Sequence, residues 1–188
     1  MKALLSHAAG GPETLSLETV PDPVPGHGEV LVAVKACGIN FLDTLVIRDL
    51  YQTKPSRPFA PGVEVSGTIA AIGQGVSSWS VGDRVIALPD FGGFAELVAV
   101  KQDRVFALPE AVSFARGAAL SIAYGTAIYA LKDRADLRAG ETMIVLGASG
   151  GAGLAAVELG KALGLTVIGA VSSPEKAEAV RRAGAKDV

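Results

Sequence analysis

MIVLGASGGAGLAAVELGKALGLTVIGAVSS, residues 143–173, opens on a short apolar run (Met143–Leu146) and bends through a glycine-rich turn. It continues through a helix-length segment and closes on a second apolar run, Thr166–Val171. Two strand-length runs separated by a helix read as a strand–helix–strand crossover, the unit of a parallel sheet. The turn carries Ala148-Ser149-Gly150-Gly151-Ala152-Gly153, an AxGxxG pattern whose first position is more often glycine. Such a turn, following a strand and opening a helix, is suited to hold a pyrophosphate. Gly150 lets the backbone approach the diphosphate, and Gly153 lets the helix pack closely on the strand. The amides of Gly151 and Ala152 open the helix and face the anion, aided by the helix dipole. The plainer alternative is a glycine-rich turn that binds nothing.

An acidic residue about 20 positions beyond such a turn holds the ribose 2′-hydroxyl of NAD. Here that place is Val171, followed by Ser172 and Ser173. No carboxylate stands there to repel a 2′-phosphate. The two hydroxyls and Lys176, acting as a point charge, are able to bind one, which favours NADPH over NADH. Lys176 also reads as an ordinary solvated helix lysine.

The rest of the chain bounds the answer. With 188 residues, 49% hydrophobic and 19% charged, it has the material for a real core and is not a disordered segment. Net charge is −2 and the lysines and arginines are scattered, so there is no nucleic-acid footprint. No apolar run approaches the ~20 residues of a membrane span. MKALLSHAAGG at the N-terminus does not read as a signal peptide. The single cysteine, Cys37, permits no intrachain disulfide and makes a reducing cytoplasm the expected compartment.

Up to about residue 115 the chain is punctuated by Gly and Pro and reads as short strands over Glu29–Ala36, Glu64–Ile72, Arg84–Leu88 and Phe94–Val100. The turns PDPVPGHG, GQG, VGD and FGG lie between them, and a barrel-like, mostly β domain is expected. A short helix is expected from Asn40 to about Arg48. Ser113 caps a helix over Phe114–Leu120, and another spans Thr126–Ala135 before the turn at Leu137–Gly140. Ser173-Pro174 starts a last helix over Glu175–Ala183, with Gly184 placed to end it. Two strands and two helices cannot complete a doubly wound sheet, so the chain is expected to be the front part of a longer protein.

These residues together resemble the medium-chain dehydrogenase/reductase superfamily. The resemblance is carried by Gly28-Glu29-Val30-Leu31-Val32, by Ala36-Cys37-Gly38-Ile39-Asn40-Phe41-Leu42-Asp43, by Pro61-Gly62-Val63-Glu64-Val65-Ser66-Gly67 and by Val81-Gly82-Asp83-Arg84-Val85. Tyr124-Gly125-Thr126-Ala127 and the AxGxxG turn extend it over essentially the whole chain. Within the superfamily the chain is similar to the zinc-independent quinone oxidoreductases, the zeta-crystallin-like group. The implied fold is α/β plus mostly-β: a GroES-like β-barrel domain over residues 1–115, then the first half of a Rossmann doubly wound parallel sheet over 116–188, incomplete at its C-terminus.

Zinc-dependent relatives carry a cysteine where Asn40 stands, a histidine where Val63 stands, and a four-cysteine lobe near Pro89–Gly93. One cysteine and two histidines cannot assemble a closed tetrahedral site, and no metal is expected. The resemblance places Asn40 against cofactor and substrate, Tyr51 near the substrate cleft and Thr126 near the nicotinamide. Each also has a structural reading: Asn40 as a helix N-cap, with Asp43 three residues on; Tyr51 as a loop aromatic packed on the barrel; Thr126 as a helix-start cap. The implied reaction is hydride transfer from NADPH to a quinone or an α,β-unsaturated carbonyl, with Asn40 and Tyr51 as the hydrogen-bond donors. An enoyl reductase and a non-catalytic, crystallin-like NADPH-binding protein are the alternatives. Small-molecule substrates and a homodimer of the longer parent are the implied partners, and the 188-residue piece is expected to bind NADPH weakly or not at all on its own.

Overall fold

The structure, a computed structural model, describes residues 1–188. Its backbone parts into two compact units, Met1–Ala119 and Leu120–Val188. The sequence reading set the change between residues 115 and 116.

The first unit opens with an antiparallel hairpin, β1 (Lys2–Ser6) and β2 (Leu15–Thr19), in register from Lys2 opposite Thr19 to Ser6 opposite Leu15. The sequence reading missed it, because KALLS and LSLET are rich in leucine and serine rather than in β-branched residues. Then come β3 (Glu29–Cys37), β4 (Val65–Ile72), β5 (Arg84–Ala87), β6 (Leu97–Lys101) and β7 (Val105–Ala107). They form one antiparallel sheet in the order β6-β3-β4-β5-β7. β7, three residues long, was also missed, and β6 begins three residues later than the run from Phe94 suggested.

That strand order forces the sheet to curl. β6 and β7 lie at opposite edges, yet only Gln102–Arg104 joins them. A flat five-stranded sheet would hold its edges about 19 Å apart at ~4.8 Å per strand. The link from Lys101 to Val105 reaches at most about 14 Å. The edges therefore turn toward each other as in a barrel, around a core of Val30, Val32, Val65, Ile69, Val85, Val98 and Val105. β-branched side chains fill it because they suit a pleated surface packed on one face.

The short helix α1 (Phe41–Val46) follows β3 and packs through Val46 beside Ile47 and Phe59. α2 (Phe114–Gly117) is capped as expected: Ser113 Oγ accepts from the Arg116 N–H at 3.3 Å. It stops at Gly117, not at Leu120.

In the second unit, α3 (Ser121–Ile128) widens into a π-helical turn over Tyr129–Arg134. Thr126 lies inside this helix and not at its start, so the capping role is excluded. Gly125 reads as a breaker in sequence, but a Cβ there would meet open space and the helix runs through it. β8 (Thr142–Leu146), α4 (Gly151–Ala162) and β9 (Thr166–Ala170) form the crossover, with β8 and β9 parallel from Thr142–Thr166 to Leu146–Ala170. α5 (Pro174–Ala183) follows, closed by Gly184. Asp187 then bridges Ile168 in parallel on the far side of β9. The core is Leu131, Met143, Ala148, Val157, Leu165, Val167 and Val180. On the other face of β8, Ile144 and Leu146 are 67% and 81% exposed. No helix is long and apolar enough to cross a membrane.

Candidate active site

Each unit carries one group of candidate residues. In the second unit, β8 runs into Gly147, whose φ of 64° lies in the left-handed region that glycine tolerates. The Gly150 N–H then returns to Gly147 O at 3.0 Å, and Gly150 takes the N-cap position of α4 with extended backbone angles (φ −77°, ψ 166°). The first paired amide of the helix is Leu154, which donates to Gly150 O at 2.8 Å. Helix geometry leaves the N–H groups of Gly151, Ala152 and Gly153 without intrahelical acceptors.

The glycines divide by what surrounds them. A Cβ on Gly151 would meet nothing within 4 Å, and on Gly150 only Gly147 O at 3.5 Å. Gly150, Gly151 and Ala152 are exposed. Gly153 is tight: a Cβ there would lie 2.8 Å from Ala148 Cα and closer still to Gly147 O. Ala148 itself is fully buried, and Ser149 is half-buried beside it. The turn thus packs through Ala148 and Gly153 and presents Gly150–Ala152 outward, an arrangement that accepts an anion at a helix N-terminus.

At the end of β9 a cleft of about 650 Å³ is lined by Val171, Ser172, Ser173, Pro174 and Arg181 among others. Lys176 Nζ donates to Ser172 Oγ at 2.8 Å, so two of the expected phosphate-binding groups are together. Ser173 is less available. It holds the N-cap position of α5 but makes no side-chain capping bond. Its hydroxyl bonds the Glu175 carboxyl, which that bond and a backbone N–H hold below the ordinary glutamate range. The sequence reading passed over both Glu175 and Arg181. Arg181 was legible as the residue two helical turns after Pro174, on the same face of α5.

In the first unit, Asn40 lies between the end of β3 and the start of α1. Asn40 occupies the N-cap of α1, and its backbone N–H donates to Asp43 Oδ2 at 2.7 Å. Asp43 Oδ1 accepts from the Gly62 N–H at 3.1 Å. Gly62 has φ 97°, and a Cβ there would meet Cys37 Sγ at 2.9 Å, so this corner requires glycine. The side-chain amide of Asn40 donates to Glu64 Oε1 at 2.9 Å. Glu64 is only 2% exposed and was not singled out from sequence. Asn40 therefore holds the N-cap position of α1 and also has a side-chain partner in Glu64.

Electrostatics follow from burial. Asp43 is pushed above the usual carboxylate range by burial, against the pull of its two backbone N–H donors, with the Glu64 charge adding to the rise. Cys37 is pushed up to about 12, first by burial and then by the charges of Asp43 and Glu64. Its thiol is a small apolar filler and not a nucleophile. Tyr51, half-buried, packs against Val46, Ile47 and Phe59. Thr126 is exposed on α3, whose Tyr124 donates to Glu158 of α4 at 2.5 Å. No group of three or more His, Cys, Asp and Glu side chains is arranged to hold a metal ion.

Compared with known proteins, residues 26–110 match the alcohol dehydrogenase GroES-like domain. Along its whole length the chain is 40% identical to the quinone oxidoreductase of Sus scrofa, of which it covers 58%. The Escherichia coli quinone oxidoreductase, solved in complex with NADPH, superposes with a TM-score of 0.95 at 34% identity, over 100% of this chain and 58% of that one. The Thermus thermophilus quinone oxidoreductase, also solved in complex with NADPH, gives 0.88 at 40% identity, over 100% and 59%. The chain belongs to the medium-chain dehydrogenase/reductase superfamily, and its likeness there is to members named quinone oxidoreductase. It spans under three fifths of the length of these relatives.

Proposed function

We propose that this chain carries the cofactor-binding turn and the acceptor-facing asparagine of an NADPH-dependent oxidoreductase that reduces a quinone or an α,β-unsaturated carbonyl without a metal. The observation that carries this reading is the α4 N-terminus, with its N–H groups unpaired within the helix and its approach clear at Gly150 and Gly151. Those residues fit a diphosphate: a side chain at Gly153 would dislodge the helix, while none at Gly150 or Gly151 obstructs a ligand. The Ser172–Lys176 pair fits the 2′-phosphate that distinguishes NADPH, and Val171 adds no opposing carboxylate. Thr126 is assigned to the nicotinamide end.

When bound, NADPH supplies the hydride. The remaining work falls to the chain. Asn40 and Tyr51 hold the acceptor oxygen and donate hydrogen bonds to the negative charge that builds on it, and water delivers the balancing proton. Asp43 fixes the backbone of Asn40, so that its carboxamide is placed before substrate arrives. We further assign residues 1–115 and 116–188 as barrel and cofactor domains of a longer, dimeric, cytoplasmic protein. The exposed Ile144 and Leu146 support a sheet face that further chain covers.

The test is an acceptor panel on the longer protein, following NADPH oxidation over quinones, enones and enoyl thioesters. Turnover of quinones or enones is expected. Turnover confined to enoyl thioesters moves the reading to an enoyl reductase. Binding without turnover moves it to a crystallin-like role, and failure to bind NADPH refutes it.

A further inference from the structure

Glu64 is buried to 2% exposure beside the end of β3, where an acidic group carries a heavy desolvation cost. The surrounding chain makes room for it. A Cβ on Gly38 would lie 2.8 Å from Glu64 Cδ, and the Gly38 N–H donates to Glu64 O at 3.0 Å. What this carboxylate offers is a hydrogen-bond acceptor, 2.9 Å from Asn40 Nδ2. A carboxamide has a donor end and an acceptor end of nearly equal shape, and it is the donor end, Nδ2, that faces Glu64 Oε1.

We propose that Glu64 is a positioning residue that fixes which way round the Asn40 carboxamide faces, so that its second N–H is held ready for the acceptor oxygen. The proposal rests on the reading of Asn40 given above. Two anchors define the residue: the backbone N–H on Asp43 at 2.7 Å and the side-chain Nδ2 on Glu64. The first sets where residue 40 sits, and the second sets its polarity. Hydrogen bonds weaken steeply away from linear geometry, so a buried acceptor at this distance suits orientation rather than bulk stability.

A side-chain amide spectrum and a double-mutant cycle test this. In the 188-residue chain, the Asn40 NH2 pair is identified by its loss in Asn40→Ala. One of its protons is expected to exchange slowly, and that protection is expected to vanish in Glu64→Leu. In the longer protein, Glu64→Gln is expected to lower kcat/KM for the acceptor about tenfold, chiefly through kcat, and to have no further effect in the Asn40→Ala background. Equal losses from Glu64→Gln in both backgrounds would show that Glu64 acts on the fold alone and would overturn the inference. So would an Asn40 amide signal that ignores position 64. If Asn40→Ala leaves activity intact, the reading of Asn40 itself falls, and with it the catalytic role given to Glu64. Should Glu64→Leu fail to fold, Glu64→Gln supplies the spectrum, with weakened protection expected and unchanged protection counting against the proposal.

Discussion

Replacing each glycine of the cofactor turn by alanine separates packing from ligand approach. At Gly153 the added Cβ would sit 2.8 Å from Ala148 Cα and 2.9 Å from Ala148 C. Carbon atoms rest at about 3.5–4.0 Å, so α4 must move away from β8 by roughly 1 Å. Overpacking of this kind costs about 1–3 kcal/mol, and the helix propensity gained over glycine returns at most ~1 kcal/mol. Gly153→Ala is therefore expected to destabilise the second unit by about 1–2 kcal/mol. Gly151→Ala meets open space and is expected to be neutral or to stabilise by up to ~1 kcal/mol. Gly150→Ala makes an ordinary 3.5 Å contact but puts alanine at the N-cap, and is expected to cost about 0.5–1 kcal/mol. Hydrogen exchange of the α4 amides reads these differences unit by unit, without assuming that the whole chain unfolds in one step. Nucleotide binding is expected to order them differently: Gly150→Val, at the diphosphate approach, abolishes binding while leaving α4 protected. If Gly153→Ala leaves α4 protection unchanged, the close helix–strand approach is not the reason for glycine there. If Gly150→Val still binds, the ligand lies elsewhere.

Three further outcomes follow from the same geometry. Val171→Asp puts a carboxylate at the end of β9, beside the Ser172–Lys176 pair, and at about 1–4 kcal/mol of repulsion should shift the NADPH/NADH affinity ratio toward NADH by about fivefold or more; an unmoved ratio would mean the 2′-phosphate is bound elsewhere. Asp43 is raised above 3.8, so the native state holds its proton more tightly than the unfolded chain does, and its contribution to stability falls as pH rises from 3.8 through the raised value and is flat above. Asp43→Asn should flatten that part of the stability–pH curve and cost about 1–3 kcal/mol at neutral pH, because an amide cannot accept from both Asn40 and Gly62 N–H groups; denaturant titration across pH checks both. Cys37, pushed from 9.0 to about 12, should alkylate at about pH 8 some 10³-fold more slowly in the folded chain than in denaturant, and comparable rates would refute its burial.

Local signals carried much of the fold. Residues 143–173 combine apolar period, glycine spacing and flanking caps within one crossover, and each of those is a short-range property. The structure accordingly has β8, α4 and β9 there, with ends shifted by a residue. The hairpin β1–β2 was hidden because its strands pair across eight intervening residues with little β-branched character of their own. β7 was hidden by its length of three residues, and its pairing with β5 depends on a sheet already curled.

The candidate site divides in the same way. Asn40, the glycine turn and Lys176 are visible as residue types at meaningful spacings, since helix starts and phosphate turns are written in consecutive residues. Glu64 is not, because its bond to Asn40 spans 24 positions and its meaning comes from being buried there. The same holds for Gly38 and Gly62, whose need for glycine comes from Glu64, Cys37 and Phe94 folding against them. The amino-acid order alone thus set the crossover and its glycine turn, because both rest on neighbours along the chain. The polarity of the asparagine, the raised acid at Asp43 and the sharing of hydroxyls between Lys176 and Glu175 exist only after folding, because burial and hydrogen bonding between distant segments create them.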